Sequence, residues 1–148
     1  MLAVVAMPEE IELIKDRNLR CNCIVTGPGA LNVIRALKGI DRNECIYNVG
    51  YVGSNSIRKG ETVRIGEVRL YHPNVTIDEP RYMLDGDTLC YTSNDFVLST
   101  NVERPCVFDM ELAFILAMGF NNVIAEKVVS DQLNLCEFNE VVYGTTEN

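Results

Sequence analysis

The chain has 148 residues, 47% of them apolar and 23% charged, the balance of a soluble globular protein with enough length for one real core. Its formal net charge of −8 argues against DNA, RNA or an acidic membrane as partner, because Lys and Arg neutralising phosphates dominate such binding. A neutral or cationic small molecule fits that charge. No apolar run approaches the ~20 residues needed to cross a bilayer. The opening apolar run, residues 2–6, is short, has no basic segment before it and meets Glu9 and Glu10 at once. It therefore reads as no signal peptide, and a soluble cytoplasmic protein is expected.

In chain order, residues 2–6 read as a buried first strand. Pro8 suits the first turn of a helix and Glu9 and Glu10 suit its positive end, with the helix running to about Lys15. Residues 22–26 are a second strand, Thr26-Gly27-Pro28-Gly29 a tight turn, and residues 30–37 a helix ended by Gly39. Residues 45–49 are a strand opening into a loop, Gly50-Tyr51-Val52-Gly53-Ser54-Asn55-Ser56. Residues 61–65 and 67–71 alternate and predict two strands separated by Gly66. Residues 74–87, rich in Asp, Glu and Pro, predict surface loop. Residues 88–92 and 105–109 are strands, 110–118 a helix stopped by Gly119, and 122–130 the last strong strand. The tail from Cys136 is either a short helix or frayed. Strands and helices alternate at both ends with extra strands between, which gives an α/β sandwich with a mixed sheet.

Six cysteines are present: Cys21, Cys23, Cys45, Cys90, Cys106 and Cys136. Most lie in apolar runs, as in Cys23-Ile24-Val25 and Cys106-Val107-Phe108, where cysteine behaves as a small buried hydrophobe. Only Cys21-x-Cys23 approaches metal spacing, and it has no second pair. His72 is the only histidine, which removes a His-pair metal site. Reduced thiols, no metal and no cofactor are expected.

Five segments carry a family resemblance, in the family's order. They are Ala6-Met7-Pro8-Glu9-Glu10, Thr26-Gly27-Pro28-Gly29 with Asn32, Asn48-Val49-Gly50-Tyr51-Val52-Gly53, Tyr71-His72 with Val75-Thr76, and the pair Asp109-Met110-Glu111 and Ser130-Asp131. Together they resemble the nucleoside phosphorylase/nucleosidase superfamily, and within it the methylthioadenosine/S-adenosylhomocysteine nucleosidases. The resemblance implies a single domain over residues 1–148, a three-layer sandwich with a mixed central sheet. That domain would be shortened relative to the family between Glu10 and Cys21, between Asp78 and Thr88, and after Asp131. It implies a small-molecule nucleoside as ligand and a homo-oligomer, with a dimer favoured. His72 matches a structural or subunit-contact position.

The resemblance also assigns roles. Breaking a ribosyl C1′–N9 bond needs an acid at N7, stabilisation of an oxocarbenium-like ribose, and a nucleophile at C1′. Asp131, with Ser130 before it, is the candidate acid, since enclosure raises a carboxyl so that it can donate near neutral pH. Glu111 is the candidate partner of the ribose hydroxyls, with Met110 against the sugar. Glu10 is the candidate for positioning or deprotonating water. Phe96, beside Val97, matches a base-stacking position, and Gly50, Tyr51 and Gly53 would bring backbone close to the ligand. Each residue has a plainer reading: Ser130 or Asp131 as a helix cap, Glu10, Asp109 and Glu111 as first-turn acids, Met110 and Phe96 as core.

Phosphorylases of the superfamily place arginines around phosphate. Here the first loop carries Glu9 and Glu10, and Asn48 stands at a second arginine position, so a dianion meets carboxylates and an amide. Water is then the better nucleophile. Tyr51 stands where the family has serine, Asp109 replaces glutamate, and Ile77 and Asp78 replace an aromatic that crosses to a neighbouring subunit. The expected activity is hydrolysis of an adenine nucleoside to adenine and the ribose moiety. The alternatives are a non-catalytic nucleoside-binding homologue and a phosphate-dependent phosphorylase.

Overall fold

The structure is a computed structural model that describes residues 1–74 and 80–144. Strand β1 (Leu2–Val5) is buried along its whole length, and leads through a 3-10 turn (Pro8–Glu10) into α1 (Ile11–Asp16). After β2 (Asn22–Val25), α2 (Ala30–Leu37) starts beyond Gly29, whose φ of +88° suits glycine. Then come β3 (Cys45–Ser54), β4 (Thr62–Leu70), β5 (Arg81–Met83), β6 (Thr88–Thr92) and β7 (Cys106–Asp109). Helix α3 (Leu112–Ala117), β8 (Asn122–Asp131) and α4 (Leu135–Tyr143) complete the order.

All the strands join one mixed eight-stranded sheet, in the order β2-β1-β3-β7-β6-β4-β5 with β8 between β3 and β4. Because β8 pairs with both β3 and β4 while β6 links β4 to β7 and β7 returns to β3, these strands close a ring. Alternation along the strands sorts side chains to two faces. Leu2, Val4, Ile46, Val107, Ala125 and Val129 pack with Val33 and Leu37 of α2 and with Leu112, Ile115 and Leu116 of α3. Ala3, Val5, Tyr47 and Val49 pack with Leu13 and Ile14 of α1. The expected three-layer α/β sandwich with a mixed central sheet is therefore the architecture observed.

One topological detail builds a hollow. On a single edge of β3, β1 pairs in parallel up to Asn48, whereas β7 pairs antiparallel from Gly53. The carboxyl ends of β1 and β7 thus point at one another, and residues 49–52 of β3 lie between them without a ladder partner on that edge.

Four local expectations are corrected. Residues 50–54 are strand, not loop, because β8 pairs with β3 as far as Gly53. Gly66 does not divide two strands: β4 runs through it with a register shift, and the backbone of Gly86 packs where a side chain at Gly66 would stand. Residues 81–83, expected as loop, form β5 against β4. The cysteines are less buried than expected: only Cys90 and Cys106 are in the core, Cys21, Cys23 and Cys45 are half-buried, and Cys136 is exposed. The tail resolves as helix α4, capped by Asn134 accepting from the Glu137 N–H and ended by Gly144 at φ +68°. Val75, Thr76, Ile77 and Asp78 of the sequence comparison lie outside the described residues.

Candidate active site

The gap between the ends of β1 and β7 opens into a cavity of about 190 Å³. Of the residues singled out from sequence, Glu10, Tyr51, Gly53, Phe96, Val97, Met110 and Glu111 line it, together with Met7, Phe108 and Phe138. Gly50, Ser130 and Asp131 are not in the wall. They stand directly behind it.

Glu10 is held by backbone that the fold leaves unpaired. Its Oε1 accepts from the N–H groups of Ala6 (2.9 Å) and Met7 (3.0 Å), and its Oε2 from the N–H of Tyr51 (2.7 Å). Tyr51 lies in the unpaired stretch of β3, so the carboxylate does the work of a missing strand. Gly50 admits it: a Cβ there would sit 2.6 Å from Glu10 Oε2. Burial raises the Glu10 carboxyl above its ordinary range, against the Lys127 charge and the three donors. Tyr51 packs with the cluster on the α1 face and also lines the cavity.

Asp131 is placed by a bulge. The β3–β8 register runs Val52 to Val129 and then Gly53 to Asp131, so Ser130 is the extra residue. The bulge brings the Asp131 carboxylate against Gly53, where a Cβ would lie 2.9 Å from Oδ2. Ser130 Oγ donates to Oδ1 (2.6 Å), and the N–H of Asn134 donates to Oδ2 (3.1 Å). Burial raises this carboxyl too, while Ser130 and the Asn134 and Leu133 N–H groups pull it down.

Behind the interior wall, out of the cavity itself, lies a residue that the sequence motifs did not single out. Lys127 is fully buried, its Nζ 3.2 Å from Glu111 Oε1 and 3.5 Å from Asp109 Oδ2. Burial alone would lower its pKa, but the carboxylates of Glu111 and Asp109 hold it above the ordinary lysine value. Burial pushes the Glu111 carboxyl up to about 8, against the pull of Lys127. Asp109 accepts from the Thr92 hydroxyl at Oδ1 and from the Leu112 N–H at Oδ2 (2.8 Å), and so fixes the start of α3. A signal for Lys127 exists in the sequence: it occupies the core-facing step between Ala125 and Val129.

At the mouth, Phe96 meets Phe138 of α4 edge to face at 5.1 Å, and Phe138 meets Tyr143 at 6.1 Å. The α4 helix thus closes one side with aromatic carbon. His72 is exposed.

No protein-family model and no curated protein sequence matches this chain. Solved structures do. A methylthioadenosine/S-adenosylhomocysteine nucleosidase from Chlamydia trachomatis superposes with a TM-score of 0.76 at 16% identity, over 97% of this chain and 87% of that one. The Neisseria meningitidis enzyme, in complex with methylthio-immucillin-A, gives 0.73 at 20% identity, over 95% and 91%. A Helicobacter pylori variant with 5′-methylthioadenosine in its active site gives 0.74 at 12% identity, over 97% and 91%. The chain has the nucleoside phosphorylase/nucleosidase fold. Within that fold the described cavity lies at the carboxyl ends of β1 and β7. No group of three or more His, Cys, Asp or Glu able to hold a metal occurs among the described residues, and no helix there is long and apolar enough to cross a membrane.

Proposed function

We propose that residues 1–148 form a single nucleosidase domain that hydrolyses the N-glycosidic bond of an adenine nucleoside such as methylthioadenosine, S-adenosylhomocysteine or a relative. The observation that carries this reading is the arrangement of Glu10, Glu111 and Met110 on one cavity with the Asp131 carboxylate immediately behind Gly53. In the proposed step the purine rests on Phe96 and Val97. Asp131 gives its proton to N7 as the C1′–N9 bond breaks, burial having raised its carboxyl above the ordinary carboxylate range. Glu111, fixed through Lys127, accepts from the ribose hydroxyls with Met110 against the sugar. Water held by Glu10 attacks C1′ and gives its proton to the Glu10 carboxylate, leaving adenine and the ribose moiety; Glu10 then loses that proton to solvent and Asp131 regains one, which restores both carboxyls. Three of the roughly four acceptor positions of the Glu10 carboxylate are taken by backbone N–H groups, which leaves one for that water.

Water rather than phosphate is supported by the wall itself: neither Lys nor Arg lines the cavity among the described residues, so a dianion would find no cationic fork. We take the active form to be a cytoplasmic homodimer, in keeping with Leu31 and Ile34, which are 76% and 46% exposed along α2. The test is incubation with methylthioadenosine and S-adenosylhomocysteine, with free adenine quantified by chromatography. Release that Asp131→Asn abolishes without lowering the melting temperature is the expected result. No release at high protein concentration overturns hydrolysis.

A second reading, nucleoside binding without turnover, is favoured by one observation: both Asp131 oxygens already accept hydrogen bonds from Ser130 and Asn134. Thermal stabilisation by these nucleosides without adenine release would establish it.

A further inference from the structure

The proposed step leaves Asp95 without a role, and its surroundings give it one. Ser93 Oγ accepts from the Asp95 N–H (3.1 Å), and Asn94 Oδ1 accepts from the Ala30 N–H at the start of α2 (2.8 Å). The backbone is therefore pinned on the N-terminal side of Asp95. Its side chain is exposed and lines both the 190 Å³ cavity and an adjoining open cleft of about 470 Å³. The charged residues of the cavity wall are Glu10, Asp95, Asp109 and Glu111, all of them acids. Three are already committed: Glu10 to backbone N–H groups, Asp109 to Thr92, Leu112 and Lys127, and Glu111 to Lys127. Among the described residues the Asp95 carboxylate has no donor and no cation. A cleft lined by one sign of charge between low-dielectric walls concentrates the opposite charge.

Resting on the nucleosidase reading, we propose that Asp95 is a specificity-determining residue that selects nucleosides carrying a cationic group, ammonium or sulfonium, on the 5′ carbon. Glu111 is buried, so a ribose held by it turns its 2′,3′ edge inward. The 5′ carbon is then left towards the mouth, where Asp95 stands and the adjoining cleft begins. A longer 5′ substituent runs into that cleft past Tyr71 and His72. An anionic substituent meets an uncompensated carboxylate there and is rejected.

The test uses three adenine nucleosides of nearly equal size that differ in 5′ charge: 5′-amino-5′-deoxyadenosine, adenosine and adenosine-5′-carboxylate. Dissociation constants are measured by calorimetry at pH 7 in the Asp131→Asn background, with and without Asp95→Asn, and adenine release is followed separately with Asp131 intact. The ammonium compound should bind about fivefold tighter than adenosine, the size of a favourable exposed charge pair, and the carboxylate weakest. With Asp95→Asn the spread should collapse to within about twofold. Equal binding of all three, a ranking that survives Asp95→Asn, or no binding of any overturns the proposal. Absence of adenine release with the charge ranking intact sinks hydrolysis alone and leaves Asp95 as the selector.

Discussion

The two ends of the cavity are built on opposite principles. At the inner end every charged group is spoken for: Lys127 lies between Glu111 and Asp109, Asp109 is fixed by Thr92 and the Leu112 N–H, and Glu10 closes the gap in β3. At the mouth Phe96, Phe138 and Tyr143 touch edge to face, and Asp95 has no partner among the described residues. In low dielectric a charge without a partner is expensive, so the inner end must be complete before any ligand arrives. At the solvent boundary the same omission costs little, and a carboxylate there is free to act on what enters. Rigid polar geometry sits where bonds would be broken, and adaptable apolar contact sits where a substituent would be chosen.

This contrast can be broken by substitution. Lys127→Ala removes the buried cation that faces Asp109 and Glu111 and should cost about 3–5 kcal/mol in urea unfolding; a loss under about 1 kcal/mol would mean that water already reaches the cluster. Gly50→Ala places a Cβ 2.6 Å from Glu10 Oε2. It should cost about 1–3 kcal/mol through overpacking and loosen the β1–β3 junction, read by faster amide exchange at Tyr51. The raised carboxyls of Glu10, Glu111 and Asp131 set a pH trend. Between the ordinary carboxyl range and about pH 8 the folded chain keeps protons that the unfolded chain releases, so stability falls as pH rises. The melting temperature should drop from pH 5 to pH 8, and a flat or rising profile would contradict the burial of this cluster. At the mouth, Phe138→Ala removes both of its aromatic contacts, to Phe96 and Tyr143, and should cost about 1–2 kcal/mol, with KM rising more than kcat falls. The smallest effect is expected from Asp95→Asn, within about 0.5 kcal/mol in stability, measured by the same urea titration.

Much of the framework was legible because apolar runs and capping residues act locally. Residues 2–6, 88–92, 105–109 and 122–130 announce strands by composition, each within a residue or so of the observed ends, and Pro8, Gly29 and Gly119 mark helix ends through backbone preferences of their own. Glycine misled where its reason lay elsewhere. Gly50 and Gly53 look like loop punctuation, yet they are strand residues that make room for the carboxylates of Glu10 and Asp131. Gly66 makes room for the backbone at Gly86. For the site, motif order picked out Glu10, Met110 and Glu111 on the cavity wall and Asp131 behind it. Lys127, Asp95 and Phe138 were passed over, since their significance depends on neighbours from other segments.

The sequence by itself determined most of the strands and helices, though not residues 50–54, 81–83 or the continuity of β4 at Gly66, because alternation and end signals are properties of adjacent residues. The tertiary structure alone decided that β1 and β7 stop head to head along β3, that a bulge at Ser130 turns Asp131 towards Gly53, and that Lys127 balances two acids in the core. Those outcomes depend on register and on charge compensation between segments far apart in the chain. Neither leaves a trace in local pattern, because the energy of a buried charge is set by whatever the fold brings beside it.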